Sequence, residues 1–109
     1  RNRPRMLVRI TPEDVEPSIL RIRHSSSTKS RVTICDRLGN KKYEETMVGR
    51  LEIGDHTKFV DLNNDGKPEI ISVFLPYYRI FENQSEGTSY AFKEHEKRKF
   101  VVIIYDQNI

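Results

Sequence analysis

The sequence predicts an all-β domain, an antiparallel meander of about eight short strands arranged as propeller-like blades, a sandwich or a barrel. Three observations predict it. Apolar residues come in short runs rich in β-branched and aromatic side chains, such as Val32-Thr33-Ile34-Cys35 and Ile70-Ile71-Ser72-Val73-Phe74-Leu75. Turn-forming Gly, Pro, Asn, Asp and Ser residues separate these runs at intervals of about 8–12 residues. No stretch of about ten residues or more keeps the helical period.

The elements follow in order. Met6–Ile10 reads as a strand. Thr11-Pro12-Glu13-Asp14 carries a cap residue, a proline suited to the first helical position and two acids suited to a helix N-terminus, so it predicts one short helical turn near 12–16, stopped by Pro17. Ser18–His24 is a second strand and Ser25–Ser30 a polar loop. Arg31–Leu38 is a β-rich run closed by the Gly39-Asn40 hairpin turn. Lys41–Ile53 reads as two strands broken near Gly49, with Gly54-Asp55 as the next turn. Lys58-Phe59-Val60 and Ile70–Leu75 flank an acidic loop, and Pro76 ends the second of them. Tyr78–Phe81 and Tyr90-Ala91-Phe92 alternate as strands around the turn at 83–88. Glu94–Arg98 reads as a charged loop, and Phe100–Tyr105 as a final, central strand.

The 109 residues suit one domain, 1–109. Hydrophobic residues make up 36% and charged residues 32%, yet the apolar ones are clustered, which argues for a folded domain over a disordered chain. No apolar run approaches the ~20 residues of a membrane span. The chain opens Arg1-Asn2-Arg3-Pro4-Arg5, without Met or a signal peptide, which reads as a processed chain or a piece of a longer one. Cys35 is the single cysteine, so there is no internal disulfide, and its apolar run predicts a buried thiol. The net charge is +3, with basic groups at Arg1, Arg3, Arg5 and Arg9, at Arg21, Arg23, Lys29 and Arg31, and at Lys97-Arg98-Lys99. Acids are interspersed and no aromatic-rich RNA-binding signature accompanies them, which argues against nucleic acid as the partner.

The stretch that carries chemistry is Asp61-Leu62-Asn63-Asn64-Asp65-Gly66-Lys67-Pro68-Glu69. Oxygen donors at alternate positions of a tight loop converge on one point, and Ca²⁺ takes about 6–8 oxygens. Asp61, Asn63 and Asp65 supply side-chain oxygens, Gly66 allows the sharp turn, Lys67 offers its carbonyl and Glu69 a further carboxylate. The loop is not an EF-hand, because position twelve is Ser72 and the flanks are strand-like. The metal-free alternative is an ordinary Asn-Asp-Gly turn in which the side chains bond their own backbone. His24, His56 and His95 lack zinc-ligand spacing. No nucleophile elbow, Walker loop or dinucleotide fingerprint occurs, so no catalytic residues are assigned and the chain is not read as an enzyme. Asn83-Gln84-Ser85 fits the N-glycosylation pattern at Asn83.

Phe59–Ile71 resembles the calcium loop of FG-GAP and VCBS-type repeats, and Arg79–Thr88 resembles the strand and turn that follow it there. The resemblance covers about residues 57–92. It implies a loop between the first strands of a β-propeller blade, as in integrin heads and secreted bacterial proteins, with Asp61, Asn63, Asp65, the Lys67 carbonyl and Glu69 as ligands. Glu69 stands where such loops usually carry Asp. A propeller needs about 4–8 blades, and this chain has room for two at most. The expectation is a secreted or cell-surface, calcium-binding module for recognition or adhesion, with a protein or glycan partner. A second reading is a small secreted inhibitor or effector that uses a basic face or loops to block an enzyme or bind a polyanion.

Overall fold

The computed structural model describes residues 5–51, 56–74 and 76–99. They form eight strands and no helix: β1 Arg5–Val8, β2 Ser18–His24, β3 Lys29–Cys35, β4 Lys41–Val48, β5 Thr57–Val60, β6 Glu69–Phe74, β7 Tyr77–Asn83 and β8 Phe92–Lys99. Two four-stranded sheets result, in the orders β1-β2-β3-β4 and β5-β6-β7-β8. Every pairing is antiparallel and joins sequence neighbours, so each sheet is a complete up-and-down meander. The all-β expectation holds. No helix among the described residues is long and apolar enough to cross a membrane.

Register explains why the sheets stack. Side chains of directly paired residues share a face. In the first sheet the pairs Leu20–Ile34 and Ile22–Val32 put four branched apolar side chains on one face. In the second, Phe59, Ile70 and Phe81 line up across three strands. These faces meet in one cluster that also takes in Val8, Ile10, Met47, Leu51 and Tyr90. Leu20, Val32, Ile34, Leu51 and Ile70 are completely buried, each worth roughly 1.5–3 kcal/mol against exposure. The Tyr43 and Phe92 rings meet edge to face across the interface, 5.9 Å apart.

Several expectations are corrected. The helical turn near 12–16 is absent. The Asp14 amide does donate to the Thr11 carbonyl at 3.1 Å. The Asp14 carboxylate, however, turns back to accept from the Ile10 amide at 2.9 Å, the Thr11 amide at 3.3 Å and the Tyr90 hydroxyl at 2.8 Å. That closes a turn and leaves no helical propagation, which Pro17 would stop in any case. Glu94–Arg98 is not a loop but most of β8, the edge strand of its sheet among the described residues, whose register with β7 is set by Ile80–Glu96 and Arg79–Lys97. Charged side chains are at home on an edge because they oppose further pairing. Tyr90 and Ala91 precede that strand, and only Phe92 of the predicted run belongs to it. The predicted turn at Gly54-Asp55 and strand at Phe100–Tyr105 lie outside the described residues.

Candidate metal site

The loop 61–69 joins β5 to β6, the first two strands of the second sheet. Paired strands fix both its ends, with Val60 opposite Glu69. Within it Asn64 and Gly66 take positive φ, 61° and 82°. Asn tolerates the left-handed region and Gly is free to enter it, so the chain reverses tightly there.

That reversal turns the side chains inward. One carboxylate oxygen from each of Asp61, Asp65 and Glu69 lies within 4.8 Å of the others. Oxygens bound at about 2.4 Å to one Ca²⁺ can be at most about 4.8 Å apart, so the three fit a single coordination sphere. The inward atom of the Asn63 amide lies 2.9 Å from Asp65 Oδ1 and 3.1 Å from Asp61 Oδ1. As nitrogen it donates to both carboxylates and closes the loop without an ion. As oxygen it would face only other oxygens, an arrangement that calls for a cation between them. Neighbouring oxygens around Ca²⁺ or Mg²⁺ are both roughly 2.8–3.3 Å apart, so this spacing fits either ion. The donor set favours calcium, because magnesium dehydrates reluctantly and keeps several waters.

Backbone amides hold the carboxylates in place. Asp61 accepts from the Gly66 amide at 2.7 Å and from the Asp65 amide at 3.2 Å. Asp65 accepts from the Lys67 amide at 2.9 Å. Glu69 is buried, accepting from the Leu62 amide at 3.0 Å and the Asn83 amide at 3.3 Å. Desolvation would raise the Asp61 carboxyl, but the amides of Gly66, Asp65 and Asn64 outweigh it and hold the group below its ordinary range. The Asp61 carboxylate is therefore ionised well before neutral pH.

The structure brings Asp61, Asn63, Asp65 and Glu69 together. Lys67 sends its ammonium to the Ser85 carbonyl at 3.1 Å. Two residues touch the loop in ways their local sequence does not announce, and a third braces the turn after β1. Pro12 lies against Gly66: a β-carbon there would come within 2.7 Å of Pro12 Cγ. Asn83 donates to the carbonyls of Ile10 at 2.8 Å and Pro68 at 3.0 Å, and its oxygen accepts from the Ser85 amide at 3.0 Å. Asp14, through Tyr90, ties the loop after β1 to the connection between β7 and β8.

This arrangement bears on the glycosylation expectation at Asn83. Asn83 is only 3% exposed and its amide nitrogen makes both of the hydrogen bonds it can donate. A glycan on that nitrogen would displace them. Asn83-Gln84-Ser85 is an Asx turn, in which an Asn oxygen takes the amide two residues on, and the same spacing makes it look like an acceptor triplet. Cys35 is buried, as its sequence context predicts. Compared with known families, curated proteins and solved structures, the chain matches none.

Proposed function

We propose that the domain is a calcium-stabilised, extracellular recognition module, with Asp61, Asn63, Asp65, Glu69 and the Lys67 carbonyl as ligands in a loop of the FG-GAP and VCBS kind. The observation that carries this reading is the convergence of three carboxylates, from Asp61, Asp65 and Glu69, whose oxygens lie within 4.8 Å of one another. The loop's place between the first two strands of a four-stranded antiparallel sheet agrees with it. Two of the carboxylates are accessible to solvent, Asp61 partly and Asp65 more so, which suits a modest affinity. Sites with Kd of about 10⁻⁴–10⁻³ M are typical of extracellular modules, where the ion is abundant. The ion's role is structural: bound only by the folded loop, it pins the β5–β6 hairpin, and recognition falls to the surfaces that the two sheets present.

Thermal unfolding with and without calcium tests this. Saturation about 100-fold above Kd adds about 2.7 kcal/mol, or roughly 10–20 °C in Tm for a domain of this size. Asp61→Ala and Asp65→Ala abolish the increment, and magnesium at equal concentration gives a smaller one. Equal melting of the wild type in calcium and in chelator overturns the proposal.

A further inference from the structure

The outward face of the first sheet is basic in a way the sequence order hides. The register pairs Arg5 with Arg21, and Arg23 with Arg31, each directly across from the other. Arg21 and Arg23 are two apart on β2, so all four point to the same side, opposite the core. Lys41 joins them at the rim of a depression of about 150 Å³ lined by Arg21, Arg23, Arg31, Thr33, Lys41 and Glu44. Like charges placed directly opposite each other cost stability, and this sheet does so twice.

Little on the face offsets that charge. Two carboxylates lie beside it: Glu44, committed to Lys41 at 3.0 Å and to the Thr33 hydroxyl at 2.9 Å, and Asp36, which lines a depression with Arg5 and Arg21 but accepts from the Leu38 and Asn40 amides at 2.9 and 2.8 Å. Arg31 acts on Glu44 only through its field. Arg5, Arg21, Arg23 and Arg31 make no ion pair among the described residues; Arg21 donates instead to the Cys35 sulfur at 3.6 Å. Arg5, Arg23, Arg31 and Lys41 are exposed, and Arg21 is half-buried.

We propose that this face binds a sulfated polysaccharide, laid across β1, β2 and β3 with its sulfates on Arg5, Arg21, Arg23 and Arg31. Cross-strand neighbours sit about 5 Å apart and same-strand neighbours about 6.7 Å apart at the backbone, so four guanidinium groups spring from one small patch of the sheet. Each guanidinium presents a planar fork of donors suited to a tetrahedral oxyanion. Nucleic acid fits less well. The face has no aromatic side chain among its described residues on which a base could stack, and no projecting element to enter a groove. The charge, the forks and the spacing of the arginines along and across the strands match an extended chain of regularly spaced anions. The site is in the sheet that lacks the acidic loop, so it stands or falls apart from the calcium reading.

The test is titration of the whole chain with a short heparin fragment, its desulfated counterpart and double-stranded DNA, in chelator and at several salt concentrations. Heparin is expected to bind with an affinity that falls steeply with salt, by displacement of counterions. The desulfated fragment is expected to bind at least about tenfold more weakly. The double substitution Arg23→Ser and Arg31→Ser weakens heparin binding about tenfold or more, whereas Lys58→Ser with Lys93→Ser, on the outer face of the other sheet, changes it by less than about twofold. If the arginine double variant does not fold, Arg5→Ser on the edge strand carries the same expectation. Absence of heparin binding at physiological salt, equal losses from the two pairs of substitutions, or tighter binding of DNA than of heparin would each overturn the proposal.

Discussion

Replacing Gly66 with alanine puts the acidic loop under two separable strains. Gly66 has φ of +82°, and its absent β-carbon would be 2.7 Å from Pro12 Cγ. The left-handed backbone costs an alanine about 1–2 kcal/mol, less about 0.4–1 kcal/mol recovered because alanine restricts the unfolded chain. The contact cannot be relieved by rotating a side chain, because Pro12 Cγ belongs to a ring. Forcing the two loops apart costs a further ~1–3 kcal/mol, as overpacking does. The net expectation is about 2–4 kcal/mol, or roughly 10–25 °C in Tm. A double-mutant cycle with Pro12→Ala separates the parts, since that change removes Cγ and Cδ and leaves the backbone conformation of Gly66 alone. In the Pro12→Ala background the cost of Gly66→Ala should fall by about 1–3 kcal/mol, the steric share. The assay is reversible unfolding in urea, read by circular dichroism at matched calcium. A cost that is the same in both backgrounds refutes the contact, and no cost in either refutes the backbone argument as well.

Asp14 supplies a prediction in pH. Burial pushes its carboxyl upward, but hydrogen bonds from Tyr90, Ile10 and Thr11 outweigh that and leave it below its unfolded value of 3.8. The stability it contributes is complete above about pH 4 and is lost as pH falls through the lower folded value. Asp14→Asn, which cannot titrate, should flatten the acid limb of the stability profile, and an unchanged limb would show that other carboxyls set it. Asn83→Ala leaves the carbonyls of Ile10 and Pro68 and the Ser85 amide without their partner. At about 1–3 kcal/mol for each buried group left unmet, less relaxation and entering water, the loss should be about 2–4 kcal/mol in urea unfolding. Expression in a glycosylating host should yield folded protein with no sugar at Asn83, checked by intact mass.

Most of the fold was legible from the sequence because strand signals are local. Runs such as Val32–Cys35 and Ile70–Phe74 announce themselves through β-branching, and Gly39 marks the hairpin it closes with φ of 91°. The acidic loop was legible for the same reason, since its donors and its glycine fall within nine consecutive residues. The β8 strand was not, because an edge strand takes its conformation from the neighbour it pairs with and its composition from solvent. Pro12, Asp14 and Asn83 were read for their local tendencies, as helix starter, helix-dipole acid and glycan acceptor. Their actual partners are far along the chain: Tyr90 is 76 residues from Asp14, and Ile10 is 73 residues from Asn83. Likewise the arginine grid needs the cross-strand register, which no single segment contains.

Among the described residues no strand crosses between the sheets, and the chain passes once from the first, which ends at Val48, to the second, which begins at Thr57. Each meander can assemble from hairpins between sequence neighbours, which makes early folding fast and local. A lone half would leave its core face bare, and that face is what the other half covers. The two faces recognise each other whether or not they belong to one molecule. At high concentration, exchange of halves between two copies would bury the same two faces against each other.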